Sequence, residues 1–143
     1  MTNKEQMINI DLANFQRIEN VNEMEYFSPD RNDFFKVLAS GCYKWHNFKI
    51  VSRGYYPIIY IRVSELYSWY LSYIEPEPIE VHGGITFNKM VLDSLFLENG
   101  CWWIGWEYNQ PGDDFGDWGT GKRYTTEELL NDMMAAVDQL VSL

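Results

Sequence analysis

The sequence predicts an α+β fold: an aromatic-rich antiparallel β-sheet with flanking helices, one of them a capped C-terminal helix. Three observations carry that expectation. Apolar residues alternate with polar ones over several short segments in the middle of the chain, the signature of half-buried strands. A strongly amphipathic segment with its own start signal closes the chain. Its 143 residues, 46 % of them apolar, suffice for one compact domain with a core and are too few for two.

The elements follow in order. Asp11 to Ile18 carries a weak helical pattern. Ser28-Pro29-Asp30 combines an N-cap, a first-turn proline and an acid at the positive helix end. With Phe34, Phe35, Val37 and Leu38 as apolar stripe and Gly41 as stop, it predicts a helix over 29–40. From Cys42 the period changes, and Tyr43, Trp45, Phe48 and Ile50 predict a half-buried strand. Tyr55 to Val63 reads as a strand with Pro57 near its start or on an edge. Ser64 to Leu71 reads as a short helix, and Glu75-Pro76-Glu77-Pro78 is extended because proline removes donors and restricts its predecessor.

Ile79–Phe87 and Cys101–Tyr108 are two further strands, the second with aromatics on both faces and therefore covered on both. Residues 109–123, with Pro111 and four glycines, form a long loop, a length that often carries function. Thr125 and Glu128 form a capping box ahead of Leu129, Leu130, Met133, Val137, Leu140 and Val141 at helical spacing.

Charge divides the chain. Residues 1–53 hold seven acids and seven bases, whereas residues 54–143 hold fourteen acids and four bases and so carry the whole net charge of -10. Such a field repels nucleic acid and anionic membrane and attracts basic protein surfaces. No apolar run is long enough to span a membrane, the N-terminus lacks an apolar signal core, and two cysteines make no disulfide framework, so a cytoplasmic setting is expected.

The motifs that invite chemistry each have a plainer reading. Gly116 to Arg123 nearly spells a phosphate loop, but Arg123 stands where the magnesium-binding hydroxyl belongs, and Asp113, Asp114 and Asp117 would repel phosphate. Those aspartates lack EF-hand spacing, because the twelfth residue from Asp113 is Tyr124, so a solvated acidic loop is expected there. His82, with Glu107 or Asp113 as orienting carboxylate, has the makings of a catalytic base, although a lone histidine in a strand is more often structural. Gly83 and Gly84 mark a bulge or a close backbone approach. Trp102, Trp103 and Trp106 alternate within a buried strand and are read as core. Trp118, between Asp117 and Gly119 in a polar loop, is read as an interface anchor.

Val81-His-Gly-Gly-Ile-Thr-Phe87, followed by Trp102-Trp-Ile-Gly-Trp-Glu-Tyr-Asn-Gln-Pro-Gly-Asp113, resembles the paired motifs of a family of small proteins from bacteriophages and other mobile elements. The resemblance covers about residues 50–140. It implies metal-ligand types at a Cys, two His and two Asp, of which His82 and Asp113 match here. Arg53 stands in the Cys place, Glu107 in that of the first Asp and Gln110 in that of the second His. Gln is a poor zinc ligand and Arg none, so neither a metal nor another cofactor is expected.

Proteins of this size and charge on mobile elements are often inhibitors of host defence, anti-CRISPR proteins among them. The expected function is therefore not enzymatic. It is an acidic binding protein that inhibits a basic, nucleic-acid-handling host protein such as a CRISPR effector nuclease, using Glu107, Asp113, Asp114, Asp117 and Trp118. Direct contact with nucleic acid or membrane is not expected. The alternative is a metal-assisted hydrolase of a small phosphorylated or nucleotide substrate using His82, Glu107 and Asp113. A third reading is a particle-assembly protein that self-associates through aromatics.

Overall fold

The computed structural model describes residues 9–11, 16–19, 36–53, 56–64, 79–113 and 121–142, with side chains from residue 36 onward. The described strands are β1 (Asn9–Asp11), β2 (Gln16–Glu19), β3 (Lys36–Tyr43), β4 (His46–Ser52), β5 (Pro57–Val63), β6 (Phe87–Val91) and β7 (Cys101–Glu107). They form one sheet in the order β1-β2-β3-β4-β5-β7-β6, every pair antiparallel. One helix, α1 (Thr126–Val141), follows. An antiparallel sheet with a C-terminal helix is the α+β arrangement expected.

Alternation along the central strands sorts side chains onto two faces. Ile59, Ile61 and Val63 of β5 join Phe48, Ile50, Ile104 and Trp106 beneath α1, which contributes Leu129, Met133, Val137 and Leu140. Ile58 and Tyr60 point the other way and pack with Val51, Val91, Leu97 and Trp103. The expectation that Cys101–Tyr108 is covered on both faces therefore holds. The segment after β6 is tied over the second face, with Lys49 Nζ donating to the Phe96 carbonyl (2.6 Å) and Trp103 Nε1 to that of Glu98 (3.0 Å). Pro57 opens β5, where its missing N–H costs no ladder bond while its carbonyl accepts from the Tyr108 amide.

The predicted capping box is present: Thr125 Oγ1 accepts from the Glu128 amide, and Glu128 Oε1 accepts from the Thr125 amide. Lys122 bonds to Glu128 at 2.8 Å and, with the capping bond, holds its carboxyl below the usual range. Burial holds the helix more than propensity does; each fully buried Leu or Met contributes about 1.5–3 kcal/mol.

Four expectations are corrected. Of the helix predicted over 29–40, residues 36–40 belong to β3, and 29–35 lie outside the described residues. The physical reason is a β-bulge between Val37 and Ala39, which makes both Leu38 and Ala39 face the core. The extra residue breaks the period of two and leaves apolar spacing that imitates a helix. Gly41 is accordingly not a helix stop; it lies in β3 opposite Phe48. Asp11 to Ile18 is not a helix where it is described, because β1 and β2 pair with each other and β2 with β3. Ile79–Phe87 is not one strand, since Gly83 and Gly84 take positive φ and β6 starts at Phe87. The short helix after Ser64 and the extended 75–78 segment lie outside the described residues.

The single strand expected from Cys42 is instead a hairpin. Tyr43 pairs with His46 across the two-residue loop Lys44-Trp45. Both loop residues have left-handed φ, 48° and 71°. A I′ turn requires this and usually meets it with Asn-Gly; for ordinary L-residues it costs roughly 1–2 kcal/mol each.

His46, next in the chain, is buried with Nδ1 against the Arg62 carbonyl at 2.9 Å. Burial pushes its pKa below the ordinary value of about 6.5. Below that value the unfolded chain takes up a proton that the folded imidazole refuses. Stability is thus complete above about pH 6.5 and declines as pH falls towards the depressed folded value. Thermal unfolding between pH 7 and 5.5 is expected to show this decline, made shallower by His46→Gln. An equal slope in both proteins would sink the assignment.

Candidate functional site

Two tight turns bring the motif residues together. In the first, the Gly84 amide donates to the Val81 carbonyl at 3.0 Å around His82-Gly83, with Gly83 at φ 72°. In the second, the Asp113 amide donates to the Gln110 carbonyl at 2.9 Å around Pro111-Gly112, with Gly112 at φ 93°. Glycine in the third place, preceded by proline in the second turn, is the type II requirement. The close approach expected at the glycines is real: a Cβ on Gly83 would lie 2.6 Å from the Gln110 side chain.

His82 Nε2 meets Asp113 Oδ2 at 2.7 Å. Asp113 is 2 % exposed, and its carboxylate also accepts from the Gln110 amide (2.9 Å) and from the Tyr124 hydroxyl (3.2 Å). With a carboxylate as its partner, His82 Nε2 is the donor of this bond. The ring stacks on Tyr108 at 4.5 Å between centroids, and Tyr124 meets it edge-on at 5.7 Å. Tyr108 Oη accepts from Trp106 Nε1 (3.0 Å) and donates to Asp132 of α1 (2.6 Å).

Burial and the bond to Asp132 drive the Tyr108 pKa far up, while burial and the Asp113 charge push Tyr124 up to about 12. Both phenols therefore stay protonated and act as donors. Gln139 clasps the backbone of Glu80 with two bonds, donating to its carbonyl and accepting from its amide. Glu80, His82, Tyr124 and Asp132 border a groove of about 400 Å³ between this turn and α1. An apolar recess of about 550 Å³ lies beside β6 and residues 92–97. Lys89 sits mid-way along β6, so symmetric antiparallel pairing of two copies centred there would oppose like charges.

The expected site residues separate. His82 and Asp113 come together, but Glu107 does not join them. Along β7 its neighbour Trp106 faces α1, so Glu107 faces the opposite side, where its charge acts on Tyr60 and it accepts from Asn109. Among the described residues no three His, Cys, Asp or Glu side chains gather as a metal site, which corrects the placement of His82, Glu107 and Asp113 as one ligand set. Asp113 is also corrected as a partner-facing carboxylate, because its oxygens are buried and taken. Asp114, Asp117 and Trp118 lie outside the described residues, and their chain segment is flanked by a clamp. Asp113 and Lys122 form a parallel bridge, with the Lys122 amide donating to the Gly112 carbonyl at 2.8 Å.

Lys122, the would-be phosphate-loop lysine, pairs with Glu128 instead. Trp103 and Trp106 are core, as expected, and half-buried Trp102 donates to Asn88 at 2.6 Å. Cys42 and Cys101 are unbridged. No helix among the described residues is long and apolar enough to cross a membrane.

Tyr108, Tyr124 and Asp132 were missed as partners of the site. Tyr108 had a local signal, since i and i+2 on a strand share a face with Trp106. Asp132 had none, because only packing of α1 against β7 selects it. Compared with protein-family models, with curated proteins and with solved structures, the chain matches none.

Proposed function

We propose that the chain is an acidic protein-binding inhibitor, acting in the host cytoplasm on a basic, nucleic-acid-handling defence protein of the CRISPR effector kind. The observation that carries the reading is the confinement of the whole -10 to residues 54–143. The bridge between Asp113 and Lys122 supports it, since a clamped base lowers the ordering cost of a contact segment. An effector nuclease holds nucleic acid in a positively charged channel, a surface such a charge is suited to cover. The resemblance to phage and mobile-element proteins points the same way.

The test is binding to a purified, guide-loaded RNA-guided DNA nuclease, followed by its cleavage of target DNA. Association is expected to weaken steeply as salt rises, and cleavage is expected to fall with bound inhibitor. Asp114→Asn combined with Asp117→Asn is expected to reduce both the affinity and its salt slope, and Trp118→Ala the affinity. Unchanged affinity and slope in both variants would remove the loop from the interface. No association at low salt would end the reading for this class of partner.

A second reading, the hydrolase, is favoured by the 2.7 Å contact between His82 and Asp113, which leaves an oriented imidazole beside a groove. Turnover of a small phosphorylated or nucleotide substrate by the purified protein, lost with His82→Ala while the fold is retained, would support it.

A further inference from the structure

We propose that the groove between the His82 turn and α1 is a socket for a guanidinium group, taking an arginine side chain of the basic partner. This rests on the binding reading above and adds to it a contact separate from the loop of Asp114, Asp117 and Trp118.

The lining sets the charge of the occupant. Glu80, His82, Trp106, Tyr124, Asp132 and Gln139 border a space of about 400 Å³, and no Lys or Arg lines it. Asp138 is matched by Lys44 and Glu128 by Lys122, but neither Glu80 nor Asp132 takes part in an ion pair among the described residues. Lys122 stands over the Tyr124 ring at 4.8 Å, and its charge is met by Glu128. With the Asp113 carboxylate beside the imidazole, the pair at His82 is neutral or negative in either protonation state of the ring. The groove is therefore net negative. A cation is drawn in, whereas a phosphate would be repelled.

The polar groups of the groove are held from behind by the core. Tyr108, fully buried, accepts from Trp106 Nε1 at 3.0 Å and donates to Asp132 Oδ2 at 2.6 Å. That chain fixes the carboxylate and leaves Asp132 Oδ1 without a hydrogen-bond partner among the described residues. Gln139 bonds to both backbone groups of Glu80, at 2.8 and 2.7 Å, and so fastens it to α1. His82 is stacked on the Tyr108 ring, and Tyr124 bonds to buried Asp113. Groups fixed before binding lower the cost of ordering a charged side chain against them.

The same lining selects the kind of cation. Among the described residues no three His, Cys, Asp or Glu side chains gather as a metal ion requires. Two carboxylates beside Trp106 and Tyr124 suit a planar group instead. A guanidinium pairs with carboxylate oxygens, stacks on aromatic rings and is more weakly hydrated than an ammonium.

The experiment follows the full chain by NMR as capped arginine (Nα-acetyl-arginine methylamide) is added, with capped citrulline as the neutral isostere. Capped arginine is expected to shift the His82 and Tyr124 resonances saturably, and capped citrulline to bind about tenfold more weakly. Glu80→Gln and Asp132→Asn are each expected to weaken capped arginine about fivefold, and together to weaken binding of the guide-loaded nuclease about tenfold. Asp132→Asn keeps a carbonyl for the Tyr108 hydroxyl, and the Glu80 carboxylate makes no bond among the described residues, so both variants should melt as the unaltered chain does. Equal binding of the two probes would overturn the socket. So would inorganic phosphate binding at the same resonances, or capped-arginine affinity within about twofold of the unaltered chain in both variants. If the nuclease binds the double variant as it binds the unaltered chain, this inference fails and the binding reading stands. If capped arginine binds as expected while the nuclease does not bind at all, the guanidinium socket stands and the binding reading fails.

Discussion

Asp113→Ala is expected to destabilise the protein by about 3 kcal/mol and to lower its melting temperature by about 10 °C. The carboxylate is buried and accepts from three donors on three segments: His82, the Gln110 amide and the Tyr124 hydroxyl. Removing it strands all three, and desolvated donors left without acceptors are costlier than the bonds were worth. Asp113→Asn keeps one acceptor oxygen and should lose less. A double-mutant cycle with His82→Ala isolates the pair: the two losses should add to more than the double variant shows. A loss below 1 kcal/mol for Asp113→Ala, or strict additivity, would mean that the pair is incidental to the fold.

Gly121→Ala should act on the neighbouring clamp, with a loss of about 2 kcal/mol. A Cβ at Gly121 would run into the Gly112 carbonyl, the very group that accepts from the Lys122 amide. Rigid backbone cannot give way as a long side chain does, so the bridge between Asp113 and Lys122 must open. Hydrogen exchange of the Lys122 amide reports this directly, and protection equal to that of the unaltered chain would refute it. Gly100→Ala is the control. It meets nothing within 4 Å and carries only the strain of its positive φ, about 1 kcal/mol. The same variant serves the functional question, since opening the clamp should weaken partner binding with every acidic side chain retained.

The candidate site was half legible. Pro111-Gly112 and Gly83 announce turns by residue type alone, and His82 and Asp113 are rare enough chemically to stand out. Their meeting was not legible, because it depends on two turns far apart in the chain being set side by side by β7 and α1. Glu107 shows the same limit from the other direction. Its residue type suited a ligand set, but its place in the alternation of β7 turns it to the opposite face from His82.

Residue order alone reveals whatever nearest neighbours in the chain decide. It specified the capping box at Thr125 and Glu128, the apolar row of α1, a strand over Tyr55–Val63 with Pro57 near its start or on an edge, the two-sided burial of β7 and the unequal charge of the two parts of the chain. Periodicity and local hydrogen bonding operate over a few residues, and there the reading held. That residues 36–41 belong to a strand follows from long-range pairing and not from local pattern. A bulge at Leu38 mixes the periods, and the pairing of β3 with β2 and β4 outweighs local helical spacing. Only the tertiary structure turned Lys44-Trp45 into a hairpin tip and buried the Asp113 carboxylate. Each of those outcomes depends on partners distant in sequence, whose bonds and burial exceed the small preferences that short segments express alone.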